Sequence, residues 1–323
     1  MNKTPVCTVQ KAGLFTTIQD TGRIGYQHLG VPASGAMDMY ALQMGNALCG
    51  NDLSAAGLEL TLMGPALTFH EETVIAVTGG NLQPQVNKEP IPMWATRKVY
   101  VGDELAFKGP AHGARAYLCV AGGLEVPMVL GSRSTYTKAG IGGMEGRELE
   151  GGDVLYRGTV HDGPRPFERR LPKASVPVYE KQQTLRVVAG PEFDTLTAEA
   201  GSRLLREAYV VTQEADRMGI RLEGPEVSFH HTGDIISDGV AFGTVQLASD
   251  GQPMILMADR QTTGGYARVL NVISADLSKA AQLQPNASVM FVQVTLEEAQ
   301  IAFRQLHRSL EDVYFAVKNK KWR

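Results

Sequence analysis

Short strand-like apolar runs recur along the whole chain. Residues 14–19, 74–78, 116–120 and 154–156 form such runs in the first half, and 185–188, 245–248 and 289–294 in the second. Alternating apolar and polar positions suit a pleated strand buried on one face, and continuous apolar runs suit strands buried on both. Gly, Pro, Asp or Asn separates the runs. The pattern therefore predicts a sandwich or barrel of many short strands, not the strand–helix alternation of a parallel α/β sheet. Helical spacing is rare. Met37, Tyr40, Ala41, Met44 and Leu48 share a face of one helix, which Ser34 can cap and which ends near Gly50-Asn51. Thr295 opens a second, with Glu298 completing a capping box and Leu296, Ala299, Phe303, Leu306 and Leu310 as its expected buried stripe.

Pro164, Pro166, Pro172 and Pro177 stand among charged residues, with Arg169 and Arg170 between them. Proline withholds a backbone donor from helix and sheet alike, so residues 164–177 are expected to be a linker. Two domains follow, at 1–165 and 178–323. The halves share motifs in the same order. Gln19-x-x-x-Arg23-x-Gly25 recurs as Gln213-x-x-x-Arg217-x-Gly219, and Leu62-Met-Gly64-Pro65 as Leu222-Glu-Gly224-Pro225. Pro127-Met-Val-Leu130 recurs as Pro253-Met-Ile-Leu256, followed by Arg133-x-Thr135 and Arg260-x-Thr262 at one residue's offset. Three matches in order predict a pseudo-duplicated architecture.

Composition narrows the partners. The 323 residues carry a net charge of -3, which gives no electrostatic reason to expect nucleic acid or an acidic membrane surface. No apolar run approaches the roughly 20 residues that cross a bilayer, and the first residues lack a secretory core, so a cytoplasmic protein is expected. Cys7, Cys49 and Cys119 are odd in number and widely spaced, and His230 and His231 would point to opposite faces of a strand. No metal site is expected.

The densest candidate chemistry follows the apolar run that starts at Met254. It reads Asp259-Arg-Gln-Thr262, then Gly264-Gly-Tyr266. Asp259 can act as a base or hydrogen-bond acceptor, and Arg260, with Arg217 as companion, can clamp an anion through a planar fork of donors. These three are the expected catalytic residues. Gln246, Gln261 and Thr262 can orient an amide or lactam, Tyr266 can stack, and Gly264 and Gly265 permit close backbone approach. The same residues also read as buried Asp216–Arg217 and Asp259–Arg260 pairs stapling strand ends. In the first half, Arg23 stands beside Gln19 and Asp20, as an anion clamp or as the partner of Asp20 in a turn. Ser34 opens a helix, as an anion ligand or merely as its cap. Arg133, Ser134 and Thr135 precede a glycine-rich stretch, Gly140-Ile-Gly-Gly-Met-Glu-Gly146, that could cradle a phosphate but lacks the Gly-Lys-Ser/Thr of a Walker loop.

Taken together these residues resemble the family of 5-oxoprolinase C-type subunits, also described as allophanate hydrolase subunit 2-like or biotin-dependent carboxyltransferase proteins. The family includes an antagonist of a sporulation-kinase inhibitor. The resemblance rests on Gly13-Leu-Phe-Thr-Thr-Ile-Gln-Asp20 with Gly22-Arg23, on Ser34-Gly-Ala-Met-Asp38, on Val129-Leu-Gly-Ser-Arg-Ser-Thr135, and on Asp216-Arg-Met-Gly219 with Asp259-Arg-Gln-Thr-Thr-Gly-Gly-Tyr266. It implies two cyclophilin-like β-barrel domains in a mainly β chain with a few helices. It also implies an ATP-dependent opening of 5-oxoproline to L-glutamate, carried out with the A-type and B-type subunits of a 5-oxoprolinase. ATP, with Mg, would be shared with those partners, and no biotin would be attached covalently, since no Met-Lys-Met site occurs. The same resemblance leaves two alternatives. One is the carboxyltransferase half of a urea-carboxylase-like system, and the other a regulator that binds a kinase-inhibitor-like homologue of the B-type partner. Ala248-Ser249 and Ala267 stand where the family pattern has proline, which bears on loop shape and substrate choice.

Overall fold

The computed structural model describes residues 4–160, 168–228 and 236–318. Two compact units emerge, one made of Met1–Arg23, Ser34–Val178 and Arg308–Arg323, the other of Ile24–Ala33 and Tyr179–His307. The architecture is mainly β with four α-helices among the described residues. No helix among these residues is long and apolar enough to cross a membrane.

The first unit holds two antiparallel sheets. One orders its strands Val154–Arg157, Thr4–Lys11, Ala66–Phe69, Glu104–Phe107, Pro84–Val86 and Glu89–Pro90; the other orders Phe15–Gln19, Gly57–Thr61, His112–Val120, Thr73–Asn81 and Ala95–Val99. Inward residues of both sheets enter one core: Val6, Val9, Leu67, Phe69 and Leu105 from the first, Ile18, Leu58, Leu60, Ile75, Val77 and Leu118 from the second. Each such side chain contributes about 1.5–3 kcal/mol by leaving water.

Helix α1, Met39–Cys49, packs on the five-stranded sheet through Gly45, where a Cβ would come within 2.7 Å of the Cys119 sulfur. Its cap is Asp38, which accepts from the Ala41 N–H at 3.0 Å, and not Ser34. Ser34 lies four residues upstream with φ at +52°, outside the helix altogether. The C-terminal stop is as expected, with Gly50 in the left-handed conformation. Residues beyond the Pro166 region dock on this unit: the Thr96 N–H donates to the Arg169 carbonyl, the Arg169 N–H donates to the Thr96 hydroxyl, and Leu171 is buried. Pro164 and Pro166 lie outside the described residues, as do His230 and His231.

In the second unit seven strands close into a barrel in the order Gln182–Ala189, Ala267–Val272, Thr244–Leu247, Pro253–Leu256, Gly219–Glu223, Tyr209–Val211 and Ser288–Gln293. Closure leaves no strand edge open, and it is made by a parallel pairing of the last strand with the first. Helices α2 (Ala198–Arg206) and α3 (Leu277–Ala281) belong to this unit. Helix α4, Leu296–Lys318, begins with the expected capping box: Thr295 N–H donates to Glu298 and Glu298 N–H to the Thr295 hydroxyl. Its buried stripe matches the expected one in part. Leu310 is buried and Ala299 and Leu306 are half-buried as expected, but Leu296 and Phe303 are exposed, and Ala302, Val313 and Val317 are buried in addition. The expected stripe lies too close to the N-terminus, because the helix runs a turn or two beyond its last expected contact.

A candidate ligand site under a crossover strap

Strands Pro253–Leu256 and Ala267–Val272 are not neighbours. Both pair antiparallel with Thr244–Leu247, which lies between them, so residues 257–266 must cross that strand to join two parallel ones. The candidate residues therefore form a strap over the barrel wall instead of a cluster at one strand end. Gln246, on the crossed strand, donates from Nε2 to the Tyr266 carbonyl at 3.2 Å. A Cβ on Gly264 would come within 2.5 Å of that same Nε2. Glycine is required there for space, since φ at Gly264 is not in the left-handed region.

The outer face of the strap is a short ribbon, Asp238–Gly239 paired with Thr263–Gly264, and Thr262 accepts at its carbonyl from the Val240 N–H. Gln261 is half-buried, Gly265 is exposed, and the Tyr266 ring is 47% exposed, available for stacking.

At the start of the strap the charges separate into two kinds. Arg217 and Asp259 form a two-pronged ion pair at 2.8 and 3.1 Å, both buried, reinforced by the Asp259 N–H on the Arg217 carbonyl. Asp216 instead accepts from the N–H groups of Met218 and Gly219, closing its own turn. Arg260 has a different situation. Its Nε donates to the Val240 carbonyl and its Nη1 to the Met257 carbonyl, each at 3.2 Å, and its guanidinium lies 5.8 Å from the Phe242 ring centre. It forms no salt bridge with a carboxylate of the described residues, though it is 7% exposed. Burial pushes its pKa down to about 10, with the nearby Asp259 charge acting the other way, so it remains a cation at neutral pH. Gln246 Oε1 is buried and accepts no hydrogen bond. Val240 links the two, receiving Arg260 at its carbonyl and lying under Gly264. A buried cation satisfied only by carbonyls can take an anion, and a buried amide oxygen awaiting a donor can take an N–H group.

The first-half candidates form a second polar cluster in the first unit, with Asp20 as its hub. The Asp20 carboxylate accepts from Ser132 Oγ, the Arg133 N–H and Ser134 Oγ, each at 2.6 Å, and from the Gly22 N–H at 2.8 Å. Arg23 donates to the Ser134 carbonyl, Arg133 pairs with Glu125 at 2.7 Å, and the Thr135 hydroxyl donates to the Ile18 carbonyl at 2.9 Å. Ser34 is buried and its hydroxyl accepts or donates no bond.

Two residues that the sequence pattern does not single out hold this cluster's floor. Glu59 accepts from the Met37 N–H at 2.8 Å and from the Tyr117 hydroxyl at 2.7 Å, and that hydroxyl accepts from the Asp38 N–H at 2.7 Å. Burial, then the Glu59 charge, holds the Tyr117 hydroxyl well above the usual phenol range. Among the described residues no group of three His, Cys, Asp or Glu side chains is placed to hold a metal ion.

Residues 29–293 match the family model of the carboxyltransferase domain, subdomains A and B. The chain is 35% identical to a protein of Escherichia coli named as the C subunit of 5-oxoprolinase, a match that covers 96% of this chain and 98% of the relative. It is 34% identical to a urea amidolyase of Lachancea kluyveri over 93% of this chain but 17% of that much longer one. Among solved structures, the Kluyveromyces lactis urea carboxylase superposes with a TM-score of 0.91 at 31% identity, covering 97% of this chain and 29% of the other.

Proposed function

This chain belongs to the family of carboxyltransferase domains with subdomains A and B, and from that premise we propose that it is the C-type subunit of an ATP-dependent 5-oxoprolinase. The single observation that carries the proposal is Arg260, a buried cation held by carbonyls with no acid of its own, on the same strap whose Tyr266 carbonyl accepts from Gln246, a residue with an unpartnered amide oxygen. A five-membered lactam is an unstrained amide and a poor electrophile. Transfer of the γ-phosphoryl group of ATP to its oxygen activates the carbon. A first water adds there, and the ring C–N bond breaks to free the amine and leave an acyl phosphate. A second water hydrolyses that acyl phosphate to the carboxylate and inorganic phosphate.

Arg260 would bear the phosphoryl oxygens, where preorganised cations stabilise developing charge. Gln246 Oε1 would accept the lactam N–H, Gln261 and Thr262 would orient the ring, and Tyr266 would stack on it. Arg217 and Asp259 neutralise each other, so their part is to fix the strap that carries Arg260. ATP, with Mg, would be shared with the partner chains. In this reading the B-type subunit is the partner for lactam activation and the A-type subunit completes ring opening. The Asp20 hub gives Arg23, Ser34, Arg133, Ser134 and Thr135 a supporting part in the same complex.

The likeness to urea amidolyase and urea carboxylase favours a second reading, carboxyl transfer from biotin carried on another chain. The same cation and amide oxygen suit a carboxylate and a urea N–H. Incubating the chain with A-type and B-type partners, ATP and 5-oxoproline separates the two: glutamate with equimolar ADP supports the lactamase reading. Biotin-dependent urea carboxylation without glutamate release would support the other.

A further inference from the structure

Arg268 stands opposite Gln246 in the register of strands Ala267–Val272 and Thr244–Leu247. Paired positions carry their side chains on one face, here the face that the strap crosses. The guanidinium of Arg268 is shared between two segments. Its Nε and Nη2 donate to Glu192 at 2.9 and 2.6 Å, and the Arg268 N–H donates to the same carboxylate at 2.8 Å. Its Nη1 donates to Asp238 Oδ2 at 2.7 Å and to the Gly239 carbonyl at 3.0 Å. Glu192 is thus a post that fixes the arginine, and the other edge of the arginine holds the ribbon.

That hold passes to Arg260 through one peptide. The peptide between Gly239 and Val240 accepts from Arg268 at its carbonyl and donates at its N–H to the Thr262 carbonyl, at 3.2 Å. A peptide is planar, so fixing its oxygen and its N–H fixes the plane from which the next carbonyl departs. That next carbonyl belongs to Val240 and accepts from Arg260 Nε. Two residues on, Phe242 sets its ring beside the Arg260 guanidinium. The segment 239–242 therefore supplies one of the two carbonyls on Arg260 and the ring next to it. Asp238 itself does little for the barrel. Its side chain is 68% exposed, and exposed ion pairs contribute little to global stability. The effect of this pair is local, on the ribbon.

We propose that Arg268 is a positioning residue for Arg260. Through Asp238 and the Gly239 carbonyl it holds the ribbon so that Val240 aims the Arg260 guanidinium at a bound anion. Arg268 does not bind that anion, because its fork is engaged by Glu192, Asp238 and Gly239. Arginine suits the task, since a planar fork can hold two segments at once where the point charge of a lysine cannot. The proposal deepens the reading of Arg260 as an anion site and rests on it for the effect on binding, while the positioning itself rests on geometry alone.

Two measurements on the whole chain test it: the NMR signal of the Arg260 Nε–H group, assigned by its loss in Arg260→Met, and a titration with inorganic phosphate. In Asp238→Ala and in Arg268→Lys, exchange of that N–H with water should quicken, and phosphate binding weaken, each at least about threefold. The sign separates positioning from charge, because removal of an acid would by charge alone strengthen anion binding. In an Arg260→Met background Asp238→Ala should weaken binding no further, since both changes act through one group. Glu199→Ala, which breaks an exposed ion pair on helix α2, should leave both readings as in wild type; an equal loss there would overturn the proposal. Asp238→Ala should melt with wild type, which establishes that it is folded. If Asp238→Ala binds phosphate like wild type and leaves the Arg260 signal unchanged, the positioning role is overturned and the anion role of Arg260 stands. If the wild-type chain binds no phosphate, the anion role falls, and the Arg260 signal alone decides the positioning.

Discussion

Arg217 and Arg260 lie in the same strap region but carry opposite energetic signatures. Arg217 is the counterion of a buried carboxylate, so Arg217→Ala leaves Asp259 buried and uncompensated, at a cost of about 3–5 kcal/mol. Arg260→Met removes a desolvated cation and strands no acid, so its unfolding free energy should stay within about 1 kcal/mol of wild type. Urea denaturation separates these outcomes; an equal loss in both variants would remove the distinction on which the proposed site rests. The titration of Arg260 adds a second check. Its folded pKa of about 10 lies below the ordinary value of 12.5, so between those values the unfolded chain holds a proton that the folded one has released. Its contribution to stability therefore rises with pH across that window, while the cation an anionic ligand needs disappears. Binding of inorganic phosphate should weaken as pH rises through about 10 in wild type and be weak throughout in Arg260→Met. The adjacency of Asp259 and Arg260 in sequence suggests a pair, but the carboxylate's partner is 42 residues away. Neighbours along a turn point apart, and the antiparallel pairing of Gly219–Glu223 with Pro253–Leu256 brings Arg217 to Asp259. Glu59 is hidden for a related reason. Between Leu58 and Leu60 it reads as the outward member of an alternating strand, yet the backbone at Met37 covers that face.

Among the elements, patterns with a local cause were legible in the sequence and those with a long-range cause were not. The capping box at Thr295 and Glu298 is a contact of four residues and stands as expected. Thr295→Ala should lower stability by about 0.5–2 kcal/mol. At α1 the test is comparative. Asp38→Ala should cost a similar amount, because it removes the cap, whereas Ser34→Gly should cost nothing because Ser34 caps nothing and stands at positive φ. A loss confined to Ser34→Gly would contradict the assignment. The strap was legible as a polar segment after an apolar run, but its crossover depends on strand order, which no local pattern encodes. Its far end is anchored where Arg268 meets Glu192 through a backbone and two side-chain bonds. The bonds from Arg268 outweigh desolvation and hold the Glu192 carboxyl below its ordinary value of 4.5. A depressed carboxylate contributes stability above its unfolded pKa and loses it as pH falls through the folded one. Glu192→Gln should therefore flatten the decline in melting temperature below about pH 4.5, relative to wild type.

Across the whole molecule, duplication was legible from three ordered motifs, and its consequence is asymmetry more than symmetry. Arg23 reaches a carbonyl of the loop that follows the third motif, and Arg217 reaches a carboxylate of the corresponding loop. One copy of the plan thus carries Arg260, a buried arginine held by strap carbonyls, and the other carries an Asp20-centred hub. That division fits a chain that works inside an assembly. Whether it opens a lactam there is read most directly from glutamate and ADP release, with this chain combined with A-type and B-type partners, ATP and 5-oxoproline. Release should be equimolar, require all three chains, and fall at least about 100-fold when the chain carries Arg260→Met. No release from the full mixture, or an undiminished rate with Arg260→Met, would contradict the assignment.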